Sequence, residues 1–183
     1  GDQRVGWLTA EKWPNAYLDD LGFEQVSEIE SFFKPDLLMP DEGRQLPEVE
    51  IRPVAATDFA SLAAVEAATF APLWRHSEET LRLAWRECVT FDVMVENGRL
   101  IGFQFSTGAR DTAHLVRMAL APDYQGRGYG SALLRATLDG YRRNHLKNVT
   151  LNTQVENLAA RQLYRKYGFS GTGHKLPIWA ISL

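Results

Sequence analysis

A glycine-rich segment in the second half of the chain joins an apolar run to an amphipathic one. The segment reads DYQGRGYGS (123–131) and follows AHLVRMALA (113–121), which is apolar at nearly every position. An apolar run of this kind that ends at a proline predicts an interior strand. After Gly128 the apolar residues recur at helical spacing, so the segment marks a strand-to-helix junction. Such a junction can bind phosphate, because the first N–H groups of a helix are unpaired.

The spacing of the glycines excludes two common nucleotide-binding motifs. A Rossmann fingerprint needs glycines at its first, third and sixth positions, and the sixth position counted from Gly126 is Ser131. A Walker loop needs Gly-Lys followed by Ser or Thr, which the segment lacks. Two interpretations remain: a pyrophosphate cradle of the form Gln125-x-x-Gly128-x-Gly130, or a glycine-rich turn without a ligand.

From residue 49 onwards the pattern predicts the element order β α α β β β α β α β β. Asn97-Gly98 lies between two strand-like runs and predicts a tight hairpin. Asn157 and Gly168 predict the start and the end of the last helix. Residues 169–183 predict two short closing strands.

Composition limits the classes of function. The chain has 183 residues, 45% of them hydrophobic, and a net charge of −3, so we predict neither a nucleic-acid partner nor a membrane surface. No apolar run reaches the length of about 18 to 20 residues that a membrane span needs. Cys88 is the only cysteine, which excludes an intrachain disulfide and favours a reducing compartment. We expect a cytoplasmic protein and predict no metal ligands.

Two segments together resemble the GCN5-related N-acetyltransferase (GNAT) family. LVRMALAPDYQGRGYGSALL matches Gln/Arg-x-x-Gly-x-Gly/Ala after a strand that ends in Ala-Pro, and residues 157–169 match Asn-x-x-Ala-x-x-Leu-Tyr-x-x-x-Gly-Phe. The resemblance covers residues 49–183 and is nearest to the ribosomal-protein alanine N-acetyltransferases. It implies an α/β fold of the α+β type: a mixed, mostly antiparallel sheet with helices on both faces, splayed at the strand 113–121.

The resemblance also implies acetyl-CoA as the co-substrate and an amine as the acceptor. The strand residues would bind the pantetheine arm and the acetyl carbonyl, the loop amides would hold the pyrophosphate, and the asparagine would contact the pantetheine. The cofactor-binding residues implied in this way are Met118, Ala119, Leu120, Gln125, Gly126, Arg127, Gly128, Tyr129, Gly130, Ser131 and Asn157.

The catalytic residues match the family pattern only in part. Tyr164 falls on the family position of the general acid, although its place in an apolar stripe also fits a core tyrosine. The alanine-acetylating branch has a glutamate as general base where this chain has Asn152, and an amide cannot accept a proton at neutral pH.

His114 on the central strand is a candidate base, or a structural histidine. Glu78 and Glu79 at the start of the second helix could also reach the substrate, or are surface charges that favour the helix start. Trp74 and His76 lie in the loop that shapes the acceptor pocket in this family.

These residues leave two functions open. The first is an N-acetyltransferase that acts on a primary amine of a small molecule or a protein N-terminus. The second is a non-catalytic acyl-CoA-binding module of a tandem GNAT-like protein, which the missing glutamate allows.

The N-terminal segment echoes the end of the main domain. AYLDDLGF (16–23) repeats the pattern of QLYRKYGF (162–169), with a separation of 146 residues for both Gly and Phe. We therefore interpret residues 1–36 as an appendage that is the remnant of a preceding GNAT-like half, residues 37–48 as a linker and 49–183 as the acetyltransferase domain. A chance amphipathic helix is the alternative. The appendage would pack on its own domain, on a second copy in a homodimer or on a missing half.

Overall fold

The computed structural model describes residues 4–8, 15–41 and 47–182. Within them, strands form one sheet in the order β1-β8-β2-β7-β6-β5-β4-β3. The strands are β1 Arg4–Leu8, β2 Glu24–Lys34, β3 Glu50–Pro53, β4 Thr90–Glu96, β5 Arg99–Ala109, β6 Thr112–Leu120, β7 Asn148–Gln154 and β8 Ser170–Ser182. The α-helices are α1 Asn15–Leu18, α2 Phe59–Thr69, α3 Glu78–Glu87, α4 Tyr129–Arg143 and α5 Leu158–Lys166.

The sheet is mixed and mostly antiparallel, and helices cover both of its faces. Helices α2 and α3 pack on one face of β4–β6, around Phe59, Leu62 and Phe103. Helices α4 and α5 pack on the opposite face, around Leu138 and Tyr167. This arrangement confirms the fold class that the sequence predicts.

Local sequence signals explain where several elements begin and end. Asn97 and Gly98 adopt φ angles of 49° and 75° between β4 and β5, which is the left-handed geometry that a tight hairpin needs. The Ser77 side chain accepts a hydrogen bond from the Thr80 N–H and caps α3, as Asn157 does for α5. The predicted element order from residue 49 holds up to the last strand.

The parallel pair β6 and β7 is splayed. Its pairing runs from Thr112 opposite Asn148 to Leu115 opposite Leu151 and stops there, whereas β6 continues to Leu120 along β5. A bulge in the β5–β6 register follows Leu115 and leaves Val116 without an opposite residue. The second half of β6 therefore follows β5 alone, and a gap opens on its other side.

The N-terminal segment is not an appendage over its described part, which corrects the sequence interpretation. Strand β2 pairs antiparallel with β7 on one side and with β8 on the other. Phe32 in this strand is fully buried in the cluster beneath α4 and α5. A strand with two neighbours and a buried aromatic is part of the core, so the boundary at residue 36 does not separate two folding units.

The predicted linker, residues 37–48, is also bound to the domain where it is described. Leu37 is buried, its carbonyl accepts a hydrogen bond from Arg142, and Arg135 donates to the carbonyl of Pro40. Both arginines lie on α4. Residues 42–46 of this linker lie outside the described residues.

The two predicted closing strands are a single strand, β8. Glycines at 171 and 173 and a proline at 177 suggested a break, but β8 pairs with β1 over one part and with β2 over most of its length. The irregularity is absorbed as register shifts in the β2–β8 ladder, one of them between Glu30 and Phe32. Pairing with neighbouring strands has therefore overridden the local turn signals.

The repeated pattern in the sequence corresponds to a repeated local structure. Phe23 N–H donates to the carbonyl of Leu18 at 2.9 Å, and Phe169 N–H donates to that of Tyr164 at 3.0 Å. Gly22 and Gly168 have φ angles of 81° and 83°, and each is followed by a strand. The structure does not test whether the first copy derives from a preceding half, which stays a prediction.

In the described part of the chain, no helix combines the length and the apolar character that a membrane crossing requires.

Candidate functional site

A cleft of about 430 Å³ lies next to the second half of β6. Its walls come from the end of α2, the last residues of β6, the loop before α4, the first turn of α4 and one side of α5. The lining residues are Thr69, Phe70, Met118, Ala119, Leu120, Gln125, Gly126, Gly128, Gly130, Ser131, Asn157, Ala159, Ala160, Gln162, Leu163 and Lys166. The gap left by the splay of β6 and β7 and the glycine-rich segment therefore belong to one cleft.

The start of α4 opens into this cleft without a side-chain cap. Gly128 is the N-cap residue, with φ 94°, and no side chain there accepts a hydrogen bond from the helix. Gly126 also has a positive φ of 71°, and a Cβ placed on it would meet no atom within 4 Å. The first-turn N–H groups have no acceptor inside the helix. They and the helix dipole form a site that favours an anion.

The backbone of β6 offers a second set of groups to the cleft. Ala121 N–H donates to the Ile101 carbonyl of β5, and alternate residues along a strand direct their backbone groups to opposite sides. The groups of Met118 and Leu120 therefore face away from β5, toward the gap. The Leu120 carbonyl already accepts from Thr69 Oγ1 at 3.2 Å and from Gln125 Nε2 at 3.0 Å, so its N–H is the group left for a ligand.

The structure brings nine of the predicted cofactor-binding residues to the cleft and two elsewhere. The nine are Met118, Ala119, Leu120, Gln125, Gly126, Gly128, Gly130, Ser131 and Asn157. The side chain of Arg127 instead donates to the Asp123 carbonyl and lies over the ring of Tyr129. The Tyr129 hydroxyl donates to Glu96. Neither Arg127 nor Tyr129 is among the residues that line the cleft.

Tyr164 is not among the residues that line the cleft. Its ring packs at 6.5 Å from the ring of Phe32 and at 5.6 Å from that of Phe169. Burial raises the pKa of its hydroxyl to about 12. The sequence assigned Tyr164 to a general acid, and the structure adds that Phe32 of the N-terminal strand supports its ring.

His114 and Asn152 lie on the face of the sheet opposite to α4 and α5. His114 Nδ1 is 2.8 Å from Thr150 Oγ1, and burial lowers the pKa of the imidazole. Asn152 Oδ1 accepts a hydrogen bond from Ser31 of β2 at 2.8 Å. Neither residue lines the cleft, and the catalytic role of His114 stays a prediction.

A buried charge cluster lies beside the cleft, and the sequence motifs did not predict it. Glu66 on α2 is 1% exposed and forms a bidentate ion pair with Arg117 on β6, at 2.8 and 2.6 Å. The Arg117 guanidinium also lies 3.6 Å from the ring centroid of Phe70, which lines the cleft. His76 Nδ1 is 3.6 Å from Glu66. The sequence does contain a signal for this ion pair, namely an acid on an apolar helix face and a cation on an apolar strand. Charged residues at such positions are rarely buried unless they are paired.

The fold is that of solved GNAT N-acetyltransferases. The crystal structure of a GCN5-related N-acetyltransferase from Sphaerobacter thermophilus superimposes with a TM-score of 0.72, at 17% sequence identity, over 100% of this chain and 60% of that one. The model of the acetyltransferase (GNAT) family matches residues 59–169, more than half of the chain. The chain belongs to this family and is an acetyltransferase.

Relatives of known name differ in acceptor and in length. A ribosomal protein bS18-alanine N-acetyltransferase from Haemophilus influenzae is 31% identical over 120 residues, which are 66% of this chain and 80% of that protein. A mycothiol acetyltransferase from Renibacterium salmoninarum is 28% identical over 173 residues, which are 83% of this chain. The chain spans half the length of the latter relative.

Proposed function

We propose that this chain transfers an acetyl group from acetyl-CoA to a primary amine, carried by a small molecule or a protein N-terminus. The observation that carries the proposal is the uncapped start of α4, with two glycines in left-handed conformation, at the mouth of the cleft. A diphosphate needs several convergent donors, and this arrangement supplies them without net positive charge. The relatives named above acetylate an alanine of ribosomal protein bS18 or are named for mycothiol.

The residues of the cleft fit an acetylated pantetheine cofactor. When bound, acetyl-CoA supplies an activated acetyl group as a thioester. The backbone groups of Met118 and the N–H of Leu120 would hold it in the gap that β7 leaves, and Phe70 and Leu163 would contribute apolar side chains to its surroundings. Positioning of this kind supplies much of the acceleration in transfer reactions.

Tyr164 is the residue proposed to assist the leaving sulfur. Its pKa of about 12 lies well above that of a thiol near 8.5. The hydroxyl therefore keeps its proton across the physiological range and stabilises the sulfur as a hydrogen-bond donor. Tyr164→Phe retains the ring that packs on Phe32 and removes only this donor. We expect kcat to fall by about 10- to 1000-fold with unchanged acetyl-CoA affinity, measured as CoA release, and equal kcat in both proteins would remove Tyr164 from the reaction.

The proposed function is tested in two measurements on the full chain. Isothermal titration with acetyl-CoA and with CoA should show saturable binding of both. CoA release is then followed with a panel of primary amines that includes alaninamide, an α-amine, and a lysine derivative blocked at its α-amine. Turnover with any of them supports the enzyme.

Non-catalytic binding of acyl-CoA remains the second candidate function. Asn152 in place of the family glutamate and the absence of Tyr164 from the described cleft lining favour it. This candidate predicts saturable binding without CoA release from any amine. The two measurements therefore separate the two functions.

A further inference from the structure

We propose that His76 accepts the proton that the acceptor amine loses during acetyl transfer, and that Glu66 and Arg117 position its ring. This inference rests on the proposed acetyltransferase function and names a general base other than His114, the histidine that the sequence suggested for this role. His76 follows the 3-10 turn Pro72–Trp74 between α2 and α3. Its backbone N–H donates to Glu66 Oε2 at 3.2 Å, so the loop is fixed to the same carboxylate that its side chain faces.

The surroundings of the ring select one tautomer. In the described part of the chain His76 Nδ1 is buried without a hydrogen-bond partner, and it lies 3.6 Å from Glu66 Oε1. A lone pair on Nδ1 would face the carboxylate unfavourably, whereas an N–H there is attracted to it. The proton therefore resides on Nδ1, and Nε2 carries the lone pair that can accept a proton.

The open edge of the ring carries this nitrogen. The His76 side chain is 29% exposed, although Nδ1 contributes none of that area. We infer that the opposite edge, with Nε2, meets the solvent. The distance of 3.6 Å to Glu66 exceeds a hydrogen bond, and such contacts often shorten only when substrate is bound.

His76, like His114, is not among the residues that line the cleft, but its contacts lead to the part of β6 that does. Its ring lies 5.8 Å from the ring of Phe105, and Phe105 is opposite Arg117, the residue before Met118. His114 precedes Met118 by four residues, which is about 13 Å along a strand.

Glu66, which fixes the His76 loop, lies on the helix whose end lines the cleft. Glu66 and Phe70 are four residues apart on consecutive turns of one helix face, and Phe70 lines the cleft. His76 is therefore held by a residue that lies one helical turn from the cleft wall.

The proposed step forms one C–N bond and breaks one C–S bond. The nitrogen lone pair of the amine forms a C–N bond with the thioester carbonyl carbon, and the N–H proton passes to His76 Nε2. The C–S bond breaks, and its electron pair leaves on the sulfur, which takes a proton from solvent while Tyr164 donates a hydrogen bond to it. His76 returns its proton to solvent. The products are an N-acetyl amide and CoA as a free thiol.

Charged groups from two elements face the imidazole. Burial lowers the pKa of His76, Arg117 on β6 lowers it further, and Glu66 on α2 opposes both. Phe105 on β5 contributes an uncharged ring. The pKa of His76 is therefore below its usual value near 6.5, and the imidazole is neutral and able to accept a proton at pH 7.

The first test observes the ring without any turnover. Nitrogen-15 NMR of the histidine side chains in the full chain, assigned with His76→Asn, reports the protonation of each ring nitrogen. We expect His76 at pH 7 to be neutral with its proton on Nδ1. A proton on Nε2, or a charged ring at pH 7, would overturn the proposal while leaving the acetyltransferase function intact.

The second test measures kcat with acetyl-CoA and the amine of the panel that is turned over, starting with alaninamide. In His76→Asn the amide nitrogen retains a donor near the Nδ1 position but lacks the base, so kcat should fall on the order of 10²- to 10⁴-fold. Acetyl-CoA affinity should stay unchanged, added imidazole should restore part of the rate, and the acid limb of the kcat profile should disappear. His145→Asn, at an exposed position, is the matched control and should retain the wild-type rate.

The outcomes separate the two levels of proposal. If the wild type turns over and His76→Asn retains kcat, His76 is not the base, and a loss confined to His114→Gln would assign the proton to His114. If the wild type binds acetyl-CoA but releases CoA with no amine of the panel, the proposed function fails, and the role of His76 fails with it.

Discussion

At the scale of single residues, Gly128 determines whether the start of α4 can hold a diphosphate. Its φ of 94° strains any L-residue, so a bulky substitution there would alter the backbone and the ligand site together. Asn and Asp have the same shape and tolerate the left-handed region better than other side chains. Gly128→Asn and Gly128→Asp therefore share their strain and differ in one negative charge.

The pair of variants isolates the electrostatic part of cofactor binding. Two like charges about 4 Å apart repel by about 4 kcal/mol at an effective dielectric of 20, and exposure of the loop to solvent reduces this. We expect Gly128→Asp to bind acetyl-CoA at least about tenfold more weakly than Gly128→Asn in isothermal titration. Equal affinities would place the diphosphate away from this helix start.

Some residues of the candidate site could be predicted from the sequence and others could not. The start of α4 could be predicted from Gly126 and Gly128, because a backbone position with a positive φ next to a helix is usually occupied by glycine. The sequence placed His76 near the acceptor pocket but missed its cluster with Glu66 and Arg117. These residues are distant in sequence, and only the packing of α2 on β6 brings them together. A motif read along the chain contains no information about such a long-range contact.

At the scale of elements, β2 links the N-terminal segment to the proposed reaction site. It lies between β7 and β8, and Phe32 contacts the ring of Tyr164. Sequence reasoning left these residues in the appendage, because the alternating pattern of a strand does not specify its partners. The apolar run of β6 was assigned correctly to an interior strand, because it lies between β5 and β7 and contributes Leu115 and Ala119 to the hydrophobic clusters on the two faces of the sheet.

Phe32 makes the contribution of β2 measurable. Phe32→Ala removes a fully buried ring, and we expect the free energy of unfolding to fall by about 3–5 kcal/mol, measured by urea denaturation. Phe33→Ala is the matched control in the same strand, because Phe33 is 38% exposed and its truncation removes much less buried area. Deletion of residues 1–45 should abolish soluble expression, since it opens the sheet between β7 and β8. A soluble, folded deletion variant would restore the interpretation of residues 1–36 as an appendage.

At the scale of the whole molecule, two histidines link stability to pH. Burial lowers the pKa of both His76 and His114 in the folded chain, whereas the unfolded chain has the usual value near 6.5. At a pH between the folded and the unfolded pKa, the unfolded chain binds more protons than the folded chain. The contribution of the two histidines to stability is therefore fully present above about pH 6.5 and is lost as the pH falls through the folded pKa. Arg52 lowers the pKa of Asp58, and this carboxylate loses its contribution only below its usual value near 3.9.

The histidine contribution can be measured as a slope. Each group can change the free energy of unfolding by at most about 1.4 kcal/mol per pH unit, so His76 and His114 together should make the chain measurably less stable at pH 5 than at pH 7. In His114→Gln the amide can still bond to Thr150, but one titrating group is gone, and the slope between pH 7 and 5 should become shallower. Urea denaturation at pH 5, 6 and 7 measures it, with His145→Gln as the exposed control. A slope identical in all three proteins would show that His114 does not lose its proton more readily in the folded chain than in the unfolded one.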